Sequence, residues 1–307
     1  MTLDDRSGSL LFAGIDGGQS STVAAIGNAS AALARGAGPP ADLVGEARDC
    51  VRNRRALEAA LDAALEAAGL ARSTTFDAVV AGISGFDAGV SREPDLSERA
   101  TRVRIVHDTE IAHAGALDGA AGIVVIAGTG SVALGNDRSG AFLRAGGWGS
   151  SFGDEGSALW VARTALRRAM VRFDRGERSA LAEAALPFFG AGSLRDVQHA
   201  FAHGELTRPR LASFASAVLA TAARGDRDAI AVRAAAATEL AELVRTVDAR
   251  LEPASWRFVS YAGGLFADAA FVDAFGSALL DVVSHADLVA PAHDPAAGAL
   301  ALARQLV

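Results

Sequence analysis

Two short runs of glycine and hydroxyl residues each follow an apolar, strand-like segment and could bind phosphate oxygens. The first run, Asp16 to Thr22, reads Asp-Gly-Gly-Gln-Ser-Ser-Thr, and the second is Gly128-Thr129-Gly130-Ser131. Turns of this composition present backbone N–H groups in a concave array that suits phosphate. One such turn alone is better explained as an ordinary hairpin, but two at matching places of the chain favour phosphate binding.

Two aspartates lie where phosphate chemistry would need them. Asp16 stands at the mouth of the first turn, and because a carboxylate repels polyphosphate, its presence there predicts a divalent cation such as Mg²⁺. Asp108 follows the apolar strand Val103 to Val106, at the sheet edge where ligands bind in open α/β folds. Asp108 is either the N-cap of the next helix or a base that accepts the proton of a hydroxyl attacking a γ-phosphoryl group.

The segment from Ala145 to Ser157 combines five glycines with one tryptophan and an acidic pair. Trp148 could cover the apolar face of a sugar ring, and Asp154 could accept hydrogen bonds from vicinal hydroxyls. The alternative is a buried tryptophan with Asp154 as a helix N-cap. Glycines at this density weaken packing unless something must approach the backbone closely, so a binding function is favoured.

The elements that would position these residues are those of an α/β protein. The first half predicts strands at Leu10 to Ile15, Thr22 to Ile26, Ala31 to Arg35, Phe76 to Ile83 and Val103 to Val106, with a loop at Gly36 to Pro40 and a helix from Glu46 to Ala68. Helices are also expected after each of the last two strands. The predicted order is strand, strand, strand, helix, strand, helix, strand, helix.

A second strand-turn-strand unit begins at Ile123 and repeats the arrangement found from Leu10 to Ile26, which indicates an old duplication. We expect a first domain at residues 1–118 and a second at 119–294, with a helical insertion at about 155–251. The last strand of the second half is expected at Phe258 to Tyr261, followed by a helix from Asp268 to Ser284. The final helix, within 295–307, could pack back on the first domain.

Composition excludes several kinds of site. All 29 basic residues are arginines and lysine is absent, which excludes a Walker A loop and a pyridoxal Schiff base. The single cysteine, Cys50, excludes internal disulfides and cysteine zinc sites. The net charge of −7 argues against nucleic acid, and no apolar stretch is long enough to span a membrane. The first residues lack the pattern of a secretory signal, so a cytoplasmic protein is expected.

These motifs resemble the N-acetylglucosamine kinase branch of the actin, sugar kinase and heat-shock chaperone superfamily, in the group that also holds the ATPase activators of benzoyl-CoA reductase. The resemblance covers most of the chain. Its specific part is Gly147-Trp148-Gly149 together with Gly153-Asp154-Glu155-Gly156-Ser157. The two phosphate-type turns are shared across the superfamily, and Gly263-Gly264 corresponds to its adenosine motif.

The resemblance implies an actin-like ATPase fold of two ribonuclease-H-like domains, with ATP, Mg²⁺ and a sugar in the cleft between them. Asp108 corresponds to the catalytic base, and Asp16 would lie near the metal. The nucleotide contacts implied are Gly17, Gly18, Gln19, Ser20, Ser21, Thr22, Gly128, Thr129, Gly130, Ser131, Ala212, Gly263 and Gly264. The sugar contacts implied are Asp42, Asp108, Gly147, Trp148, Gly149 and Asp154.

One residue departs from the pattern of these relatives. Where they place an asparagine that contacts the sugar, this chain has Asp42. A carboxylate suits a protonated amine better than an acetamide, so glucosamine stands beside N-acetylglucosamine as a candidate acceptor of a phosphoryl group at its 6-hydroxyl.

Two other functions stay open. The first is an ATPase that activates a partner enzyme, although two thiolates from a homodimer would fall short of the four that an iron–sulfur cluster needs. The second is a sugar sensor without catalysis, against which the presence of Asp16 and Asp108 counts. Monomer and homodimer are both compatible with the sequence.

Overall fold

The computed structural model describes residues 10–41, 51–89, 91–137 and 141–307. The chain divides into two compact units, of which the first comprises residues 1–120 and 291–307 and the second residues 121–290. Each unit contains one five-stranded sheet with helices packed against it. The α/β fold class predicted from the sequence is therefore confirmed.

The sheet of the first unit is formed by a three-stranded antiparallel meander followed by two parallel strands. Its elements are β1 (Phe12–Gly17), β2 (Thr22–Gly27), β3 (Ala32–Gly38), α1 (Val51–Ala67), β4 (Phe76–Ile83), β5 (Ala100–His107), α2 (Asp108–Ala116) and α10 (Pro295–Arg304). The strand order is β3-β2-β1-β4-β5. Strand β1 runs antiparallel to β2 and parallel to β4, so the turn after β1 and the end of β5 lie at the same edge of the sheet.

Helix α1 covers one face of this sheet, while α2 and α10 cover the other. The second face depends on glycine, because a Cβ on Gly14 of β1 would lie 1.9 Å from the backbone nitrogen of Leu300 in α10. A Cβ on Gly298 of α10 would lie 2.2 Å from the carbonyl oxygen of Ile111 in α2. These close approaches seat α10 directly on the strand that carries Asp16.

Two local predictions for this unit are wrong. The predicted loop at Gly36 to Pro40 begins later, because β3 continues to Gly38. Its glycines serve packing, since a Cβ on Gly36 would lie 2.2 Å from the backbone nitrogen of Ala64 in α1. The helix expected between β4 and β5 is replaced, among the residues described there, by turns and extended chain. Local hydrogen bonds compete with helix formation in this segment, as when Asp87 accepts from the Gly89 N–H at 2.9 Å.

The second unit repeats the connectivity of the first. Its strands are β6 (Gly122–Ala127), β7 (Ser131–Asn136), β8 (Phe142–Gly146), β9 (Arg257–Ala262) and β10 (Ala286–Leu288). Their order is β8-β7-β6-β9-β10. The five strands β6 to β10 therefore take the same places in this sheet as β1 to β5 take in the first. The pairing is antiparallel within β6-β7-β8 and parallel within β6-β9-β10, as the predicted duplication requires.

A set of helices separates β8 from β9. They are α3 (Ala158–Asp174), α4 (Ala180–Phe189), α5 (Leu194–Ala202), α6 (Arg208–Ala212), α7 (Ala215–Ala223) and α8 (Arg227–Asp248). A short 3-10 helix (Gly264–Ala267) and α9 (Ala269–Val282) then connect β9 to β10. None of the described helices is both long and apolar enough to cross a membrane.

Candidate active site

The first phosphate-type turn connects β1 to β2 as a tight hairpin in which Gly17 pairs with Thr22. The Gly18 N–H donates to the Ser21 carbonyl at 3.0 Å. The Thr22 hydroxyl is buried and donates to the Pro39 carbonyl at 2.7 Å, so it holds the end of β3 against the turn. Ser20 and Ser21 are exposed at the tip, which leaves their side chains accessible to a ligand.

Asp16 belongs to a group of three carboxylates at the ligand-binding edge of the first sheet. Burial, followed by the negative charges of Asp108 and Asp294, raises the pKa of Asp16 to about 7. Each neighbour comes from a different element, since Asp108 opens α2 and Asp294 caps α10. The Asp16 carboxyl is therefore largely protonated below neutral pH, and a nearby cation would favour its ionised form.

Asp294 was not identified from the sequence. It accepts from the Ala297 N–H at 2.9 Å and forms an ion pair with Arg35 of β3. Burial opposes ionisation, but the hydrogen bonds from Arg35 and from the backbone of α10 lower the pKa of Asp294. The Asp-Pro dipeptide at the start of this helix is a signal from which the cap could have been predicted. The closeness of Asp294 to Asp16 could not, because the two residues are far apart along the chain.

Asp108 is the first residue of α2, so the alternative that it is the N-cap of this helix is wrong. The cap is His107, whose Nδ1 accepts from the Thr109 N–H at 3.2 Å. The Asp108 carboxylate lies 2.7 Å from the same Nδ1, and its side chain is 30% exposed. A partly exposed carboxylate that is not occupied in capping remains accessible to a substrate hydroxyl.

The second turn is joined to the Gly-Asp-Glu-Gly-Ser segment, although the two motifs are separated in the sequence. The Gly128 carbonyl accepts from the Ala158 N–H at 2.9 Å, and the Ser131 hydroxyl donates to the Glu155 carbonyl at 2.6 Å. The Ser131 N–H donates to Asp154 Oδ1 at 3.3 Å. The turn between β6 and β7 is therefore built together with the start of α3.

Asp154 lies at a strained backbone position with φ of 63°. Its predicted alternative role as the N-cap of the following helix is wrong, because Ser157 caps α3 by accepting from the Trp160 N–H at 3.1 Å. Burial raises the pKa of Asp154, and the charge of Glu155 adds to this, while backbone hydrogen bonds from Ser131 and Gly149 oppose it. The carboxylate thus contacts the second turn, and its contact with a sugar stays a prediction.

Trp148 is 72% exposed, so the alternative of a buried core tryptophan is wrong. The glycines around it have left-handed backbone conformations, with φ of 78° at Gly146, 73° at Gly147 and 80° at Gly149. Other residues rarely adopt this region. The glycine density is therefore explained by a backbone path that presents the indole ring to solvent.

The predicted adenosine contacts lie at and beyond the end of β9. Gly263 has φ of 100°, and a Cβ there would lie 2.4 Å from the carbonyl oxygen of Ala127, so this segment approaches the end of β6 closely. A Cβ on Gly264 would meet nothing within 4 Å. Ala212 is buried in the core of the second unit, and its nucleotide contact stays a prediction. Asp42 lies outside the described residues.

The oxygen ligands near the first turn suit Mg²⁺. Within residues 10–41, 51–89, 91–137 and 141–307, no group of three or more His, Cys, Asp or Glu side chains is arranged to hold a metal ion. Mg²⁺ needs no such group, because it commonly binds through one or two carboxylates, several waters and the phosphates of its substrate. Asp16, a carboxylate whose ionised form is opposed by its surroundings, fits this role.

Comparison with known proteins agrees with the two-unit fold. A crystal structure assigned as an N-acetylglucosamine kinase from Chromobacterium violaceum superimposes with a TM-score of 0.77 at 28% identity, covering 96% of this chain and 99% of the other. A glucokinase from Streptomyces griseus, solved with glucose and AMPPNP, shares the fold alone, with a TM-score of 0.62 at 18% identity, 96% of this chain and 99% of the other being covered.

The sequence comparisons identify the family. An N-acetylmuramic acid/N-acetylglucosamine kinase from Clostridium acetobutylicum is 32% identical over 206 residues, which are 66% of this chain and 67% of that protein. An N-acetyl-D-glucosamine kinase from Dictyostelium discoideum is 25% identical over 187 residues, 59% of each chain. Residues 13–303 match the profile of the BadF/BadG/BcrA/BcrD ATPase family. The chain therefore belongs to the BadF/BadG/BcrA/BcrD ATPase family, as the sequence motifs predicted.

Proposed function

We propose that this protein is an ATP-dependent amino-sugar kinase that phosphorylates the 6-hydroxyl of N-acetylglucosamine or glucosamine. The observation that carries the proposal is the partly exposed Asp108 carboxylate at the carboxyl end of β5, in the same unit as the phosphate-type turn after β1. The 32% identical relative named as an N-acetylmuramic acid/N-acetylglucosamine kinase supports the same reaction class.

Asp108 acts as the general base. It accepts the proton of the sugar hydroxyl while the hydroxyl oxygen forms a bond to the γ-phosphorus of ATP. The bond between that phosphorus and the oxygen bridging to the β-phosphate breaks, and ADP leaves with the electron pair. Of the alternatives left by the sequence, this role agrees with a carboxylate that the helix cap does not use.

The remaining residues bind and orient the substrates. In the first unit, the backbone N–H groups of the turn after β1 and the exposed hydroxyls of Ser20 and Ser21 bind phosphate oxygens, and Asp16 would hold Mg²⁺, which would neutralise charge on the transferred phosphoryl group. In the second unit, phosphate contacts come from the backbone N–H groups of the turn after β6 and the half-buried Thr129 hydroxyl. Gly263 and Gly264 admit the nucleoside. Trp148 covers one face of the sugar, with Asp154 and the backbone of Gly147 and Gly149 as polar contacts.

The acceptor is an amino sugar with either a free or an acetylated nitrogen. Asp42 would pair with the ammonium group of glucosamine, whereas an acetamide would offer it one N–H donor only. Calorimetric titration of both sugars, each with a nonhydrolysable ATP analogue, separates these acceptors, since tighter binding of glucosamine is expected if Asp42 forms the ion pair.

A coupled assay of ADP release across hexoses and hexosamines tests the reaction. Asp108→Asn should lower sugar-dependent turnover by about 10²- to 10⁴-fold, the usual contribution of a general base. Asp118→Asn is a matched control, because Asp118 is an exposed carboxylate of the same unit with φ of 49°, a conformation that asparagine tolerates. Full turnover in Asp108→Asn would exclude this base, and ADP release that no sugar stimulates would exclude the kinase.

An ATPase that acts on a partner enzyme is the second candidate, and the family match to ATPases favours it. It predicts ATP hydrolysis without sugar. An absorbance band of an iron–sulfur cluster in anaerobically purified protein would support it.

A further inference from the structure

The second unit contains a cavity of about 750 Å³ between α3, α5 and residues 150–155. Its volume lies in the range of small-molecule sites. Leu166, Val197 and Leu211 are buried side chains of its apolar lining. Neither the turn between β6 and β7 nor Trp148 lines it, so the proposed reaction leaves this cavity without a ligand.

Two arginines on one side of α3 line the cavity. Arg163 and Arg167 are one helical turn apart, and both are exposed. Arg163 donates to the Ser150 carbonyl at 3.1 Å, whereas the Arg167 guanidinium has no hydrogen bond or ion pair to any of the described residues. Like charges at this spacing destabilise a helix, and guanidinium groups bind carboxylate and phosphate with two parallel hydrogen bonds. The pair therefore favours an anionic group.

The rest of the lining argues against a simple anion. Asp174 and Glu155 also line the cavity, and their carboxylates would repel an ion that carries nothing but negative charge. They would accept hydrogen bonds from hydroxyl or ammonium groups, for which Gln198 offers a further partner. Phe152 and Phe201, which are 88% and 43% exposed, supply aromatic surface for the apolar face of a ring.

The cavity is also connected to the segment that carries Trp148. Ser150 receives the hydrogen bond from Arg163 at its carbonyl, and Arg208 donates to its hydroxyl at 3.4 Å. Ser150 is two residues from Trp148. An anion bound by Arg163 would compete for the guanidinium that holds this segment, so occupancy of the cavity would change the position or mobility of the indole ring.

We propose that this cavity binds an anionic amino sugar, a hexosamine that carries a phosphate or carboxylate group, as a second site distinct from that of the acceptor. The binding claim depends on the cavity alone. The accompanying effect, modulation of acceptor binding through Ser150, rests on the proposed function.

Isothermal titration calorimetry without nucleotide tests the binding. The probes are glucosamine 6-phosphate, N-acetylmuramic acid, inorganic phosphate and glucosamine, which carries no anionic group. We expect Arg167→Gln to weaken binding of the anionic sugars at the second site by at least about tenfold, the effect of losing a charge-assisted hydrogen bond. Arg195→Gln is the matched control, because Arg195 is exposed on α5 and does not line the cavity. The control variant should bind as the wild type does.

Because the acceptor site could also bind a sugar phosphate, the number of sugar molecules bound per chain is used to distinguish the two sites. The wild type should bind about two molecules of its anionic sugar per chain, and Arg167→Gln about one. A response to glucosamine 6-phosphate alone identifies the phosphate form as the ligand, and a response to N-acetylmuramic acid alone identifies the carboxylate form. Unchanged binding in Arg167→Gln, or inorganic phosphate binding as tightly as either sugar, would overturn the proposal.

Steady-state inhibition kinetics of the same proteins distinguish a failure of the kinase proposal from a failure of the cavity proposal. Inhibition by the bound sugar should change from mixed to competitive against the acceptor in Arg167→Gln, with turnover in the absence of inhibitor unchanged. Loss of sugar-dependent ADP release with intact two-site binding would refute the kinase alone, whereas normal turnover with a single site would refute the cavity proposal alone.

Discussion

Replacement of Asp16 by asparagine should stabilise the protein at alkaline pH and leave its stability almost unchanged at acid pH. The pKa of Asp16 rises from 3.8 to about 7 on folding. Between these values the folded state binds a proton that the unfolded state lacks, so the free energy of unfolding falls as the pH rises from about 4 to 7. At about 1.4 kcal/mol per pKa unit, the wild type loses about 4 kcal/mol over this range.

Asparagine has nearly the same shape as the protonated carboxyl group and does not ionise. Asp16→Asn should therefore exceed the wild type by only about 1 kcal/mol near pH 4.5 and by up to about 4 kcal/mol at pH 8. Other titrating groups contribute almost equally to both proteins, so the difference between the two unfolding curves isolates Asp16.

Urea denaturation followed by circular dichroism, without Mg²⁺, measures these free energies at both pH values. Asp118→Asn serves as the control, because it removes a carboxylate that is 75% exposed and is not among the groups that raise the pKa of Asp16. A difference between Asp16→Asn and the wild type that stays constant with pH, or a variant that is less stable at pH 8, would refute the cause assigned to the pKa shift.

Substitutions at Gly298, His107 and Asp154 test the packing, the helix cap and the strained turn. In urea denaturation, Gly298→Ala should lower the free energy of unfolding by about 1–3 kcal/mol, because its Cβ would overlap the backbone of α2. Gly276→Ala is the control, where a Cβ would meet a leucine methyl group, and it should be neutral or stabilising. His107→Asn retains a cap acceptor and should change the free energy of unfolding by less than about 1 kcal/mol, whereas His107→Ala removes the acceptor for the Thr109 N–H and should cost about 1 kcal/mol. Asp154→Asn should be tolerated and Asp154→Ala should cost about 1–3 kcal/mol in the same denaturation assay, because alanine lacks the acceptor and is disfavoured at positive φ.

The sequence predicts the parts of the site that are formed by short stretches of chain. Both turns follow from a buried strand, a run of small polar residues and a returning strand, and such hairpins form between neighbours in sequence. The position of Asp108 follows for the same reason, since an apolar strand leads directly into its helix. Alternation and apolar runs were therefore enough to predict β1, β2, β4 and β6 to within a few residues.

The parts that were missed depend on contacts between distant segments. Gly36 indicates a loop by composition, but a helix packed on its strand requires the glycine and keeps the strand extended. The short strand β10 has three residues and pairs with β9 at the edge of its sheet, so its local pattern carries little signal. Asp294 joins Asp16 because α10 returns to the first sheet, and no local pattern in the sequence reports that contact.

The grouping of Asp16, Asp108 and Asp294 lowers the stability of the first unit. The requirements of folding therefore do not explain it. An apolar residue in place of Asp16 would avoid both the burial of a carboxyl group and its repulsion by Asp108 and Asp294. Arg35 offsets the charge of Asp294, whereas Asp16 escapes repulsion only in its protonated form, which predominates below a pH of about 7. A cation bound beside Asp16 would displace that proton and remove the repulsion, and the phosphates that accompany the cation would meet the N–H groups of the adjacent turn. The destabilised acid and the turn next to it thus both support the proposed binding of a nucleotide with its metal ion.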